Sequence, residues 1–136
     1  MRTSSPATDV ELLADLLVAW PALFFLGMGV VALTRPAHVV DRFGTEVETL
    51  DGRNEIRSVY GGFGVAVAFL LAWAVFTTGR GELWIPSVIA VLCFGMAVGR
   101  LVSFVADRTR GSAVVWRYVG LEFALTASLF ASHTLR

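Results

Sequence analysis

The chain has 136 residues, 56% of them hydrophobic and 16% charged, with 11 arginines, no lysine and a formal net charge of zero. A soluble domain carries about 25% charged and about 45–50% apolar residues, so there is too little charge here to cover a surface facing water. This excludes a soluble enzyme and a disordered tail. It also excludes a nucleic-acid binder, because no basic run exists to displace counterions from a phosphate backbone.

A membrane-crossing helix needs about 20 apolar residues, and the composition supplies three or four of them in one domain over residues 1–136. The first apolar run, Leu16 to Leu33, follows an amphipathic lead-in containing Asp9, Glu11 and Asp15. That acidic flank does not fit a signal peptide, so the run (16–33) reads as a retained span. Pro21 falls inside it and removes one helical hydrogen bond, which predicts a kink or a restart.

Residues 34–54 form the longest polar stretch, with Arg35, Arg42 and Arg53 among the carboxylates Asp41, Glu46, Glu48 and Asp51. Pro36 to Phe43, closed by Gly44, predicts a short helix, and Thr45-Glu46-Val47-Glu48 fits a capping box opening a second one. Val39, Val40, Phe43, Val47 and Leu50 give both pieces an apolar side to lay against the membrane or the bundle end. The second span is predicted over 56–76, with Asn54 as its N-cap and Glu55 favourably placed in the helix dipole. Thr77 to Gly81 reads as a tight turn. The third span covers 83–106, tolerating Pro86 in its first turn. Asp107 to Ser112 is a second tight turn, and the fourth span covers 114–135. Four helices and three connections make an all-α, four-transmembrane-helix up-down bundle with a short helical first connection.

Arg35, Arg42, Arg53, Arg57, Arg108, Arg110 and Arg117 cluster at one membrane face, against Arg2, Arg80 and Arg136 at the other. The positive-inside rule puts connections 34–54 and 107–112 in the cytoplasm and both termini outside. Abundant arginine without lysine hints at a GC-rich bacterial genome, hence a bacterial plasma membrane. Trp20, Trp73 and Trp84 sit near the terminus-side interface and Trp116 near the other, as an aromatic belt requires.

Small residues recur every fourth position: Gly64, Ala68, Ala72 in the second span; Gly95, Gly99, Ser103 in the third; Gly120, Ala124, Ser128, Ser132 in the fourth. Such stripes let helices approach closely in lipid. They are expected to hold the single chain together, with a homodimer through Gly95 and Gly99 as the alternative. Cys93 reads as a small buried hydrophobe. His38 and His133 lie at opposite ends and cannot share a metal, and no catalytic or cofactor signature is present. Neither an enzyme nor a cofactor is therefore expected.

The ionisable residues inside the spans carry the functional reading. Arg100 falls about 9 Å below the end of span three and Glu122 about 12 Å into span four, measured from the same face. A charge at the bilayer centre costs about 2.5–3.5 kcal/mol, so the two are predicted to point inward and pair. Asn54, Glu55, Arg57 and Tyr60 are expected to extend this polar network toward the cytoplasm. It serves either as a clamp that fixes helix register or as a binding site.

The stretch Asn54-Glu55-Ile56-Arg57-Ser58-Val59-Tyr60-Gly61-Gly62 resembles the signature of the DUF4345 family of small four-helix membrane proteins. Gly99-Arg100-Leu101-Val102-Ser103 followed by Asp107, and Glu122 in the last helix, look like its second and third blocks. The family is similar in architecture to DoxX-like membrane proteins. The resemblance implies a topology and key residues but no reaction. One position departs from the pattern: Arg108 follows Asp107 where family members often carry glycine. The expected role is a non-catalytic binding or accessory protein anchoring a membrane lipid, a hydrophobic small molecule or a membrane protein partner on the Arg100/Glu122 cluster. A small proton-coupled transporter working as a dimer, and an accessory subunit of a membrane redox enzyme, are the alternatives. Arg100 opposes transport, since a paired arginine commits the Glu122 carboxylate to the ion pair.

Overall fold

The structure, a computed structural model, describes residues 6–77 and 84–135. Among these residues all regular secondary structure is helical: α1 (Pro6–Thr34), α2 (Pro36–Asp41), α3 (Leu50–Ile56), a π-helical stretch (Arg57–Gly62), α4 (Phe63–Phe76), α5 (Trp84–Ala106) and α6 (Ala113–Thr134). α3, the π stretch and α4 follow one another without a break. Among the described residues, four segments are long and apolar enough to cross a membrane: Thr8–Thr34, Leu50–Phe76, Trp84–Ala106 and Ala113–Thr134. These helices turn bulky apolar side chains outward, among them Leu23, Phe69, Val91 and Val105. Four candidate spans with such a surface point to a multi-pass membrane protein.

The chain divides into two compact units, Met1–Pro21 with Leu71–Arg136, and Ala22–Leu70. In the first unit α5 and α6 pack antiparallel, as the Phe94–Phe123 and Phe104–Trp116 ring pairs show. Ile89, Ala90, Cys93, Ala97, Val119, Leu125 and Leu129 fill the space between and around them. α1 runs unbroken through Pro21, where a kink or restart is expected from sequence. The reason lies on α6. Proline has no N–H to offer the Leu17 carbonyl one turn back, and Ser128 Oγ donates to that carbonyl at 2.6 Å instead. Trp20 Nε1 in turn donates to Ser128 Oγ at 2.7 Å. A hydroxyl from a neighbouring helix thus satisfies the group the proline leaves behind.

The second unit is built on glycine. A Cβ added to Gly29 would come within 2.8 Å of Val65 N and 3.0 Å of Gly61 O, and one on Gly64 within 3.0 Å of Phe25 O. The end of α1 and the Gly61–Val65 region therefore touch backbone to backbone. Gly64 acts here as its stripe predicts, and Ala68 is buried. Gly95, Gly99 and Gly120 do not: a Cβ on any of them would meet nothing within 4 Å. Within its own unit α5 does not use its stripe for packing: Gly95, Gly99 and Ser103 are all exposed, where the stripes are expected to hold the single chain together.

The connections also differ from expectation. Pro36–Asp41 is helical and Gly44, at φ 70°, ends the following turn, but Thr45 to Glu48 has no regular secondary structure and does not open a helix. The cap lies at Thr49, whose extended backbone (φ −95°, ψ 156°) lets its side chain accept from Gly52 N. Asn54, expected as the N-cap, sits inside the helix. The apolar run beginning at Ile56 conceals an earlier, polar first turn because this helix starts among interfacial residues. The π stretch shows no sequence signature; it is marked by the Phe63 N–H bonding back five residues to Ser58 O. Between α5 and α6, Trp116 Nε1 donates to Arg110 O at 2.7 Å. Gly111 (φ 69°) and Arg108 (φ 49°) both adopt left-handed backbone there. The turn expected at Thr77–Gly81 falls largely on residues 78–83, outside those described.

Candidate functional site

The site grows from the antiparallel packing of α5 on α6. Arg100 lies six residues before the end of α5 and Glu122 nine residues into α6, about 9 Å and about 13 Å along the two helix axes from the same end. That places them level with each other. Arg100 Nε donates to both carboxylate oxygens of Glu122, at 2.9 Å to Oε1 and 3.0 Å to Oε2. Glu122 is deeply buried, with 4% of its side chain accessible, while Arg100 keeps 26%. The acid is thus a fixed buttress, and the guanidinium is the partly accessible member of the pair.

Two further groups shape this cluster. The Tyr118 ring lies 5.2 Å from the Arg100 guanidinium carbon, close enough for a cation–π contact. Thr126 Oγ1, one turn beyond Glu122, lies 2.8 Å from Glu122 O and 3.3 Å from Ala90 O, tying α6 to α5 just below the carboxylate. Sequence reasoning missed both. Their signal is the spacing itself, since Tyr118 and Thr126 stand four residues before and after Glu122 and share its helix face.

The other expected site residues belong to the unit Ala22–Leu70. Arg57 Nε donates to Leu33 O at 3.0 Å, so this arginine caps the carboxyl end of α1. Asn54, Glu55 and Tyr60 are exposed. Tyr60 lies in the π stretch with Arg57, and Asn54 and Glu55 lie in α3. Arg100 and Glu122 are the predicted site residues that the structure joins by an ion pair.

A shallow apolar groove of about 370 Å³ is lined by Val98, Leu101, Val102, Val105 and Ala106 of α5. Val98 and Val102 stand two positions either side of Arg100, about 160° around the helix, so the groove faces away from the ion pair. Among the described residues no group of three or more His, Cys, Asp or Glu side chains could hold a metal ion.

The profile of a family described as a domain of unknown function (DUF4345) matches residues 13–133. No curated protein and no solved structure matches the chain.

Proposed function

Because the chain belongs to the DUF4345 family, to which no activity is assigned, we propose its function from its own residues: a non-catalytic membrane protein that binds the polar head of an amphiphile on Arg100. The observation that carries this reading is the asymmetry of the ion pair. Glu122 is almost wholly buried and grips Arg100 through Nε, whereas a quarter of the arginine side chain stays accessible beside Tyr118. A clamp that only fixes helix register gains nothing from that exposure, since a cation accessible at membrane depth is costly. An amphiphile whose head accepts hydrogen bonds repays the cost, and a membrane lipid or a hydrophobic small molecule meets that description. In this reading the protein resides in a bacterial plasma membrane with connections 34–54 and 107–112 in the cytoplasm.

The test is native mass spectrometry of the purified protein with the lipids it retains. Wild type is expected to keep an amphiphile that the double variant Arg100→Leu/Glu122→Leu loses while remaining folded. Equal retention by both would sink the proposal. The exchange Arg100→Glu with Glu122→Arg supplies a second reading: it preserves the pair, so it keeps the fold but moves the guanidinium and loses the ligand.

One observation also favours a partner helix. Gly95 and Gly99 are exposed, with open space at both, on the side of α5 that also carries the apolar groove, and close helix approach in lipid uses such a face. We propose a second copy there. A Gly99→Cys chain on a Cys93→Ser background should form disulfide-linked dimers in membranes. Persistent monomer under oxidation would exclude that face.

A further inference from the structure

We propose that Arg53, flanked by Arg57 and Arg35, forms a phosphate-binding site where the second membrane helix begins, separate from the Arg100 pair. The observation behind it is an orphan donor. Arg53 Nε is buried and has no hydrogen-bond partner among the described residues. The rest of Arg53 is half-buried. A donor shut off from both water and protein acceptors is expensive, and a phosphate that engages the accessible part of the guanidinium and turns Nε toward its oxygens removes that cost.

The surroundings fit an anion. The Arg57 N–H bonds to Arg53 O, so the two arginines sit one helical turn apart on one face. Asp51 and Glu55 stand two positions either side of Arg53, about 160° around the helix, so the carboxylates share the opposite face. The contacts also locate Arg53 along α1. Gly64 approaches Phe25, Gly61 approaches Leu33, and Arg57 Nε bonds to Leu33 O. These pairings run antiparallel, so Arg53, one turn earlier, lies beyond the end of α1, where exposed Arg35 leads into α2. The partial negative charge of the α1 carboxyl end would repel an anion, but the Arg57 guanidinium on Leu33 O offsets it. A guanidinium fork matches phosphate oxygens in bidentate fashion. A group in the first turn of a membrane helix also lies at the level of lipid headgroups. The phosphate can therefore come from an anionic phospholipid or from a free ion.

The test uses the full chain in detergent micelles with equal amounts of phosphatidylcholine and phosphatidylglycerol, read by native mass spectrometry. A parallel arm reads thermal stabilisation by inorganic phosphate in phosphatidylcholine alone. Wild type is expected to retain phosphatidylglycerol preferentially, and Arg53→Gln to lose that preference by about tenfold or more. Arg110→Gln, on a different connection, is expected to leave it unchanged. Stabilisation by inorganic phosphate without lipid preference keeps the site and assigns it to the free ion. If neither phosphate source acts on wild type, the proposal is overturned. It is equally overturned if Arg53→Gln, or Arg53→Lys should the glutamine variant not fold, keeps the full wild-type preference.

Discussion

The two units solve the same problem by opposite means. In the unit made of Met1–Pro21 and Leu71–Arg136, helices are tied by side-chain polar bonds: Arg100 to Glu122, Ser128 to the Leu17 carbonyl, and Trp20 to Ser128. In the unit Ala22–Leu70, glycines at 29, 61 and 64 let backbones touch. Lipid gives helices no hydrophobic reason to associate, so they need either interhelical hydrogen bonds or close packing. The first solution fails when one partner of a bond is lost. The second fails when atoms are added.

Removing one member of the ion pair should therefore do the most damage. Glu122→Ala leaves the Arg100 guanidinium without its buried counter-ion, and breaking a buried pair costs about 3–5 kcal/mol. Denaturant titration in micelles should show this loss, whereas Arg100→Leu/Glu122→Leu, which leaves no orphan charge, should recover most of it. If the double variant is as unstable as Glu122→Ala, the penalty comes from lost packing and not from an unpaired charge.

The glycine unit should respond to one methyl. Gly29→Ala drives a Cβ against Val65 N and Gly61 O, backbone atoms that cannot step aside, and overpacking of this kind costs about 1–3 kcal/mol. Gly95→Ala adds the same methyl into space that is open within one chain, so in dilute micelles that hold the monomer it should be neutral or stabilising by about 0.5–1 kcal/mol, the helix-propensity difference. In a bilayer the same change should weaken association, because the proposed second copy packs on that face; no effect there would count against the dimer.

These residues also show what sequence can and cannot give. The four long helices follow from hydrophobic runs, and the Arg100–Glu122 pair follows from matched depths, because charge in lipid has few places to go. Which glycines touch could not be read, since Gly64 and Gly99 carry the same every-fourth-residue spacing. The difference lies in which neighbour faces each stripe, a property of three-dimensional packing. The cap at Thr49 was missed because the apolar run starts later, at Ile56. The role of Ser128 was hidden because serine in a small-residue stripe looks like a packing residue; only its place opposite a proline-freed carbonyl identifies it.

That carbonyl offers a finer test of the polar solution. Ser128→Ala should cost about 1–2 kcal/mol by leaving Leu17 O without a donor. Pro21→Ala returns a backbone N–H to the same carbonyl, so in that background Ser128→Ala should cost less. A thermodynamic cycle should show the two changes coupled. Additive losses would mean that Ser128 acts through Trp20 alone.

The turns extend the contrast to the smallest energies. In the glycine unit the residue with positive φ is Gly44 (φ 70°), which adopts it without strain. In the other unit the turn after α5 uses Gly111 (φ 69°) but also Arg108 (φ 49°). A non-glycine residue in left-handed backbone costs about 1–2 kcal/mol, and glycine there returns part of that gain by its greater freedom in the unfolded chain. Arg108→Gly should therefore stabilise by roughly 0.5–1 kcal/mol, read as a rise in the unfolding midpoint. Gly111→Ala should do the reverse and more strongly, because its Cβ would run into the Phe104 ring that packs on Trp116. If Arg108→Gly destabilises instead, the arginine side chain contributes more at this membrane face than its backbone strain costs.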